Sequence, residues 1–160
     1  VLDGAVRSGS SGAAGEIGYL PVPGGELPDG VDKEHKGAFQ LLVGADAIAE
    51  LAEVHGVDLD DPASLAFSDA FVGELARRVS LGVAAIGTIL DPSLFVLSGE
   101  TAVRVGSLLP NAVARATSRI APIHPRVEVS RLGMYGPLRG ARAKALDAAR
   151  ASLLERVAEV

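Results

Sequence analysis

The sequence predicts an α/β fold, a mixed sheet with flanking helices. Three features carry that expectation. The first 22 residues read as short extended pieces broken by glycine. From residue 40 the apolar positions recur at helical spacing. Two strand-like runs, residues 94–97 and 126–130, are each followed by a helical stretch, and strands alternating with helices argue a partly parallel sheet.

Val1 to Arg7 carries apolar pairs around Asp3-Gly4, a strong hairpin dipeptide. Gly9 to Gly15 is a small-residue loop, and Ile17 to Val22 reads as a third short strand closed by Pro21 and Pro23. Residues 23–36 read as a mobile loop. Leu42, Ala45, Ile48, Ala49 and Ala52 then mark a helix that Gly56 stops. Asp61-Pro62 starts a short turn. Ser68 is placed to cap a long helix through Phe71, Leu75, Val79 and Ile86 that ends near Asp91-Pro92. Leu94 to Leu97 is a continuous apolar run, the pattern of a strand buried on both faces. One helix is expected from about Thr101 to Ile120, a strand over Arg126–Ser130, and an alanine-rich helix over residues 137–159.

At 160 residues the chain is long enough for one sizeable core. Val1 in place of Met marks it as a piece of something longer. The 48% hydrophobic content speaks against disorder. Zero Cys excludes disulfides, thiolate metal sites and Cys nucleophiles, and fits a cytoplasmic protein. No apolar run has the length of a membrane span, and no signal peptide opens the chain. The net charge of −5 is uneven: residues 1–100 hold 5 basic and 16 acidic side chains, residues 101–160 hold 10 basic and 4 acidic. The basic end has dispersed arginines and only Tyr135 for stacking, so solvated helix faces explain it better than a nucleic-acid surface.

Most chemical motifs fail on spacing. Gly9, Gly12 and Gly15 lack both the Lys-Ser/Thr pair of a phosphate loop and the dinucleotide pattern. His35, His55 and His124 are scattered, with no HExxH arrangement. Asp58, Asp60 and Asp61 lack the mid-loop Gly and closing Glu of a calcium loop. No serine sits in a GxSxG elbow. What remains is Glu16 between Gly15 and Gly18. A carboxylate on such backbone can approach ligand hydroxyls closely, although on physics alone a turn-capping Glu is the simpler reading.

Gly12-Ala13-Ala14-Gly15-Glu16-Ile17-Gly18 resembles the signature of the ROK family (repressors and sugar kinases), which ends Ala-Gly-Glu-Ile-Gly-His. Gly37-Ala38-Phe39-Gln40 is similar to its Gly-Cys-Leu-Glu. Asp91-Pro92-Ser93-Leu94-Phe95-Val96-Leu97-Ser98-Gly99 resembles its Asp-Pro-x-x-Val-Val-Leu-Gly-Gly, and Leu132-Gly133 with Gly140-Ala141 resembles its Leu-Gly…Gly-Ala ending. The resemblance implies a two-lobed actin-like ATPase (ribonuclease H-like) fold with sugar in the cleft. Residues 1–160 would then be a single domain, most of the C-terminal lobe. It also implies that Glu16 hydrogen-bonds sugar hydroxyls, with Tyr19 and Gln40 in the same pocket.

The departures from the family pattern bear on function. Tyr19 stands where the family has a zinc-binding His, and the zinc Cys are absent, so no metal and no cofactor are expected. Gln40 replaces a second sugar-contacting Glu, keeping hydrogen bonding but adding a donor and losing charge. Gly99-Glu100 replaces a Gly-Gly near the nucleotide. These losses point to the effector-binding lobe of a ROK-type transcription regulator, a homodimer that meets DNA only through a winged helix upstream of this chain. Such a lobe binds a sugar or sugar phosphate, touches no membrane and is not an enzyme. The alternative is the C-terminal lobe of an ATP-dependent ROK sugar kinase. A third reading keeps the lobe for dimerisation alone.

Overall fold

A computed structural model describes residues 1, 4–24, 30, 36–61, 63–64 and 68–158. Its elements run in chain order: a 3₁₀ turn at Ile17–Tyr19, α1 (Gln40–Val43), α2 (Ala45–Val54), α3 (Asp69–Leu90), β1 (Phe95–Leu97), α4 (Glu100–Val105), α5 (Leu108–Ile120), β2 (Val127–Val129), a 3₁₀ turn at Gly133–Tyr135, and α6 (Gly136–Ala158). The architecture is α/β, mostly helical, with a small parallel sheet in which Phe95, Val96 and Leu97 face Val127, Glu128 and Val129.

The long helix α3 is the spine. Ser68 caps it by accepting a hydrogen bond from the Phe71 backbone N–H at 3.3 Å, an arrangement worth about 1 kcal/mol. One face buries Phe71, Leu75, Ala76 and Val83, and α5 lays Leu109, Val113 and Thr117, spaced by four, against it. Ile48, Leu51 and Ala52 of α2 close the same core, with Ala102 and Val105 of α4. The two hydroxyls buried there are satisfied within their helices: Ser80 donates to the Arg77 carbonyl and Thr117 to that of Val113. A smaller cluster of Val22, Ala38 and Phe39 packs on Leu81 at the middle of α3.

Several expectations hold. The Ser68 cap, the Gly56 stop (φ +62°), the end of α3 at Asp91, the last helix and strands in both expected runs are all present. Others are corrected. No described residue of 4–24 belongs to a strand. Ile17–Tyr19, expected as extended, is a 3₁₀ turn: Gly15 enters it at positive φ, and the Tyr19 and Leu20 N–H groups donate locally to the carbonyls of Glu16 and Ile17 instead of to a strand. The hairpin at Asp3-Gly4 lies partly outside the described residues, as do most of the 23–36 loop and Pro62. The described sheet is parallel rather than mixed. The strand expected to be buried on both faces leaves Val96 54% exposed, since a two-stranded sheet covers only one side. The helix expected over residues 40–55 breaks at Gly44, where the backbone turns extended (ψ 165°) and a Cβ would sit 2.6 Å from the Gln40 carbonyl oxygen. The helix expected over 101–120 breaks at Gly106, whose φ of +63° and ψ of −136° end α4 and let α5 start anew.

Two glycines of α3 separate packing from propensity. A Cβ on Gly82 would lie 2.6 Å from the Phe39 ring, and Phe39 is 4% exposed and has nowhere to go. Gly73 faces open space. Gly82→Ala is therefore expected to destabilise the fold by about 1–3 kcal/mol through overpacking. Gly73→Ala is expected to stabilise it by about 0.5–1 kcal/mol through helix propensity. Urea midpoints of the two variants read the opposite signs.

Candidate functional site

The segment Gly12–Leu20 is a chain of tight turns. Ala14 N–H donates to the Ser8 carbonyl at 3.2 Å, Glu16 to Ala13 at 3.2 Å, Tyr19 to Glu16 at 3.2 Å and Leu20 to Ile17 at 3.0 Å. Gly15, at φ +99°, delivers Glu16 to the start of the 3₁₀ turn, a backbone path few other residues adopt. Glu16 is exposed, and its carboxylate has no hydrogen-bond partner among the described residues. Tyr19 is half-buried.

Gly37 brings a distant part of the chain against this turn. A Cβ there would lie 2.2 Å from the Gly18 carbonyl oxygen and 2.5 Å from the Tyr19 Cα, so backbone meets backbone where a side chain would stand. Three residues later Gln40 opens α1 and lies over Gly18. A Cβ on Gly18 would meet Gln40 Cβ at 3.4 Å and Oε1 at 3.5 Å. The structure thus gathers the 3₁₀ turn that Glu16 opens, with Tyr19 at its end, and the side chain of Gln40. Both Glu16 and Gln40 are exposed, Gln40 over Gly18 and Glu16 two residues before it; a charged acceptor and a neutral donor–acceptor are groups suited to hydroxyls.

Ion pairs hold α1 and α2 in position. Glu74 takes Nε of Arg77 at 2.7 Å and Nε of Arg78 at 3.0 Å. Arg78 in turn donates to the carbonyls of Leu42 at 3.2 Å and Ala47 at 3.5 Å, reaching both helices across the Gly44 break. At the other end of α1, Lys36 pairs with Asp46 in the first turn of α2 and lowers its carboxyl pKa. The sequence reading missed both the backbone contact at Gly37 and the Arg78 tie. The Gly37 signal was in the motif, as a glycine ahead of Ala38-Phe39, but the partner of that close approach is 18 residues away.

The other candidates stay dispersed. His55, half-buried, sits edge-on against Phe71, with centroids 6.4 Å apart. His124 lies on the loop before β2, and His35 lies outside the described residues. Asp58 and Asp61 accept hydrogen bonds from the backbone of Asp60 and Ala63, which makes that acidic stretch a set of local turns. Among the described residues no group of three His, Asp or Glu is placed to hold a metal ion. No described helix is long and apolar enough to cross a membrane.

The fold and the site geometry meet a known architecture at this point. The chain is similar to the ROK hexokinase from Thermus thermophilus, whose crystal structure superposes with a TM-score of 0.62 at 26% sequence identity. The match covers 84% of this chain and 48% of the hexokinase, so the chain spans about half the length of that protein. No family model and no curated protein matches the chain. The α/β architecture is accordingly similar to that of a ROK sugar kinase, and the likeness supports the ROK family.

The Glu74 carboxyl is held down to about 2 from an ordinary 4.5, chiefly by its hydrogen bond to Arg77, with Arg78 adding to it against the cost of burial. A depressed folded-state pKa contributes stability that is present above the unfolded value and lost as pH falls through the folded one. The stability difference between the wild type and Glu74→Gln is therefore expected to be largest above pH 5 and to shrink between pH 4.5 and 2. Urea unfolding of both proteins across that range measures it.

Proposed function

We propose that this chain is the sugar-binding lobe of a ROK-type sugar kinase, most of its C-terminal half. What supports the reading is an exposed Glu16 carboxylate, without a hydrogen-bond partner among the described residues, at the start of the turn whose Gly18 lies under Gln40, on a fold similar to the ROK hexokinase. Glu16 accepts from sugar hydroxyls, Gln40 adds a neutral amide, and Tyr19 lines the same pocket. The facing wall of that pocket, with the catalytic base and the phosphate contacts, comes from the other half of the protein. Phosphoryl transfer rests on positioning and charge stabilisation by those groups. This chain by itself is a binding surface.

One set of observations favours a second reading, the effector-binding lobe of a sugar-responsive regulator: Tyr19, Gln40 and Glu100 replace family residues, and Cys is absent. In that reading the protein is a cytoplasmic homodimer, the ligand is a sugar or sugar phosphate, and DNA is met through an upstream winged helix. The comparison favours the kinase over the regulator. Sugar-dependent ATP turnover by the full-length protein establishes the kinase. Its absence, together with sugar-dependent operator binding, establishes the regulator.

Both readings share one test. A charged acceptor on a hydroxyl contributes roughly 1.5–3 kcal/mol and a neutral one 0.5–1.5. Glu16→Ala in the full-length protein is therefore expected to weaken sugar binding about ten- to a hundredfold by calorimetry, and Gln40→Ala less. An unchanged affinity in a folded Glu16→Ala protein removes the sugar-binding reading and leaves dimerisation. Neither reading includes structural zinc, and elemental analysis of untagged protein is expected to find it far below one equivalent.

A further inference from the structure

Two hollows, each about 440 Å³, meet at His124 and Pro125 on the loop between α5 and β2. Neither shares a residue with the Glu16–Gln40 site. The first is lined by Asp91 and Ser93 after α3, with Phe95, His124 and Arg126. The second is lined by Ala114, Arg115, Ser118 and Arg119 on one face of α5, with His124 and Pro125 opposite.

The charges of the two differ. In the first, the Asp91 carboxylate opposes an anion, and Arg126 is already committed to Glu128, with its Nε 3.0 Å from Oε1. In the second, Arg115 and Arg119 stand one helical turn apart with no carboxylate partner among the described residues. Like charges at that spacing repel each other. The side chains three and four positions to either side of each, Asn111, Ala112, Ala116, Pro122 and Ile123 among them, include no acid to relieve it. The position of Arg119 in the last turn of α5 suits the helix dipole, but Arg115 lies a turn further in and gains little from it.

His124 lines both hollows and is held by Ser118. Ser118 Oγ lies 2.8 Å from the Ile123 carbonyl oxygen and 3.0 Å from His124 Nδ1. The carbonyl can only accept, so the single hydroxyl proton goes to it. The Ser118 lone pair therefore accepts from Nδ1–H. That arrangement excludes Ser118 as a nucleophile activated by His124 and leaves Nε2 for a ligand.

We propose that the hollow between α5 and the loop before β2 is an anion site for a phosphate group, held by Arg115 and Arg119 with His124 locked by Ser118. Planar guanidinium groups match phosphate oxygens in pairs, and a phosphomonoester carries about −1.5 to −2 charges at pH 7. The adjoining hollow, with Asp91 and Ser93, has room and acceptors for the hydroxyl-bearing remainder of a phosphorylated metabolite.

The test is amide NMR of the full-length protein titrated with inorganic phosphate, with chloride at equal ionic strength as control. Saturable shifts at Arg115, Ser118, Arg119 and His124 are expected, weakened at least tenfold in the double variant Arg115→Gln/Arg119→Gln. Both side chains are exposed, so that variant is expected to keep the wild-type urea midpoint. A hexose phosphate run in parallel separates the sources. Tighter binding with added shifts at Asp91 and Ser93 assigns the site to a phosphorylated metabolite. Affinity equal to that of inorganic phosphate, still lost in the double variant, assigns it to the free ion. Phosphate shifts no larger than those from chloride, or unchanged in the double variant, overturn the proposal.

Discussion

The contact between the Phe39 ring and the bare Cα of Gly82 organises this fold. It lets the segment around Ala38 and Phe39 sit directly on the central helix, with the ring buried where any larger residue in α3 would push it out. On one side of Phe39, two residues away, Gly37 meets the backbone of Gly18 and Tyr19. On the other side Gln40 begins α1 and covers Gly18. The candidate site therefore inherits its geometry from one ring packed against one glycine, and Glu16 stays exposed at the start of a turn that packs against α1.

Electrostatics refines that arrangement more than it drives it. Glu74, Arg77 and Arg78 are partly exposed, and exposed ion pairs contribute little to stability. Their value is positional, because Arg78 reaches carbonyls in both α1 and α2 and so fixes the angle at the Gly44 break. A comparable device holds α4: Arg104 pairs with Glu100 at 2.6 Å and donates to the Leu59 carbonyl at 2.9 Å. In both places an arginine with an acidic partner one helical turn away also donates to a backbone carbonyl of a distant segment, and Arg104 adds the carboxylate of Asp60.

The uncovered surfaces follow a pattern. Val96 faces outward from the two-stranded sheet, and every described side chain from Pro137 to Arg156 along α6 is exposed, Leu138, Leu146, Leu153 and Leu154 included. Parallel sheets ordinarily have both faces covered, and helices are stabilised by packing one face. Those surfaces occur in a chain that spans about half of the hexokinase it resembles.

The sequence by itself determined the local elements and the identity of the candidate residues. Ser68 caps α3 and Gly56 stops α2, because both act through hydrogen bonds or φ angles within a few residues. The apolar run at Leu94–Leu97 and the alternation at Arg126–Ser130 gave two strands for the same reason. Glu16 stands out by its flanking glycines as well as by motif likeness, whereas Tyr19 and Gln40 rest on motif likeness alone. Only the tertiary structure decided that the Ile17–Tyr19 segment coils, that Gly44 and Gly106 divide two apparent helices into four, and that Gln40 lies over Gly18. A glycine within a helical pattern reads as tolerable until a neighbour occupies the space of its missing Cβ. That neighbour is set by chain segments tens of residues apart, as with Phe39 against Gly82, and neither periodicity nor spacing encodes it.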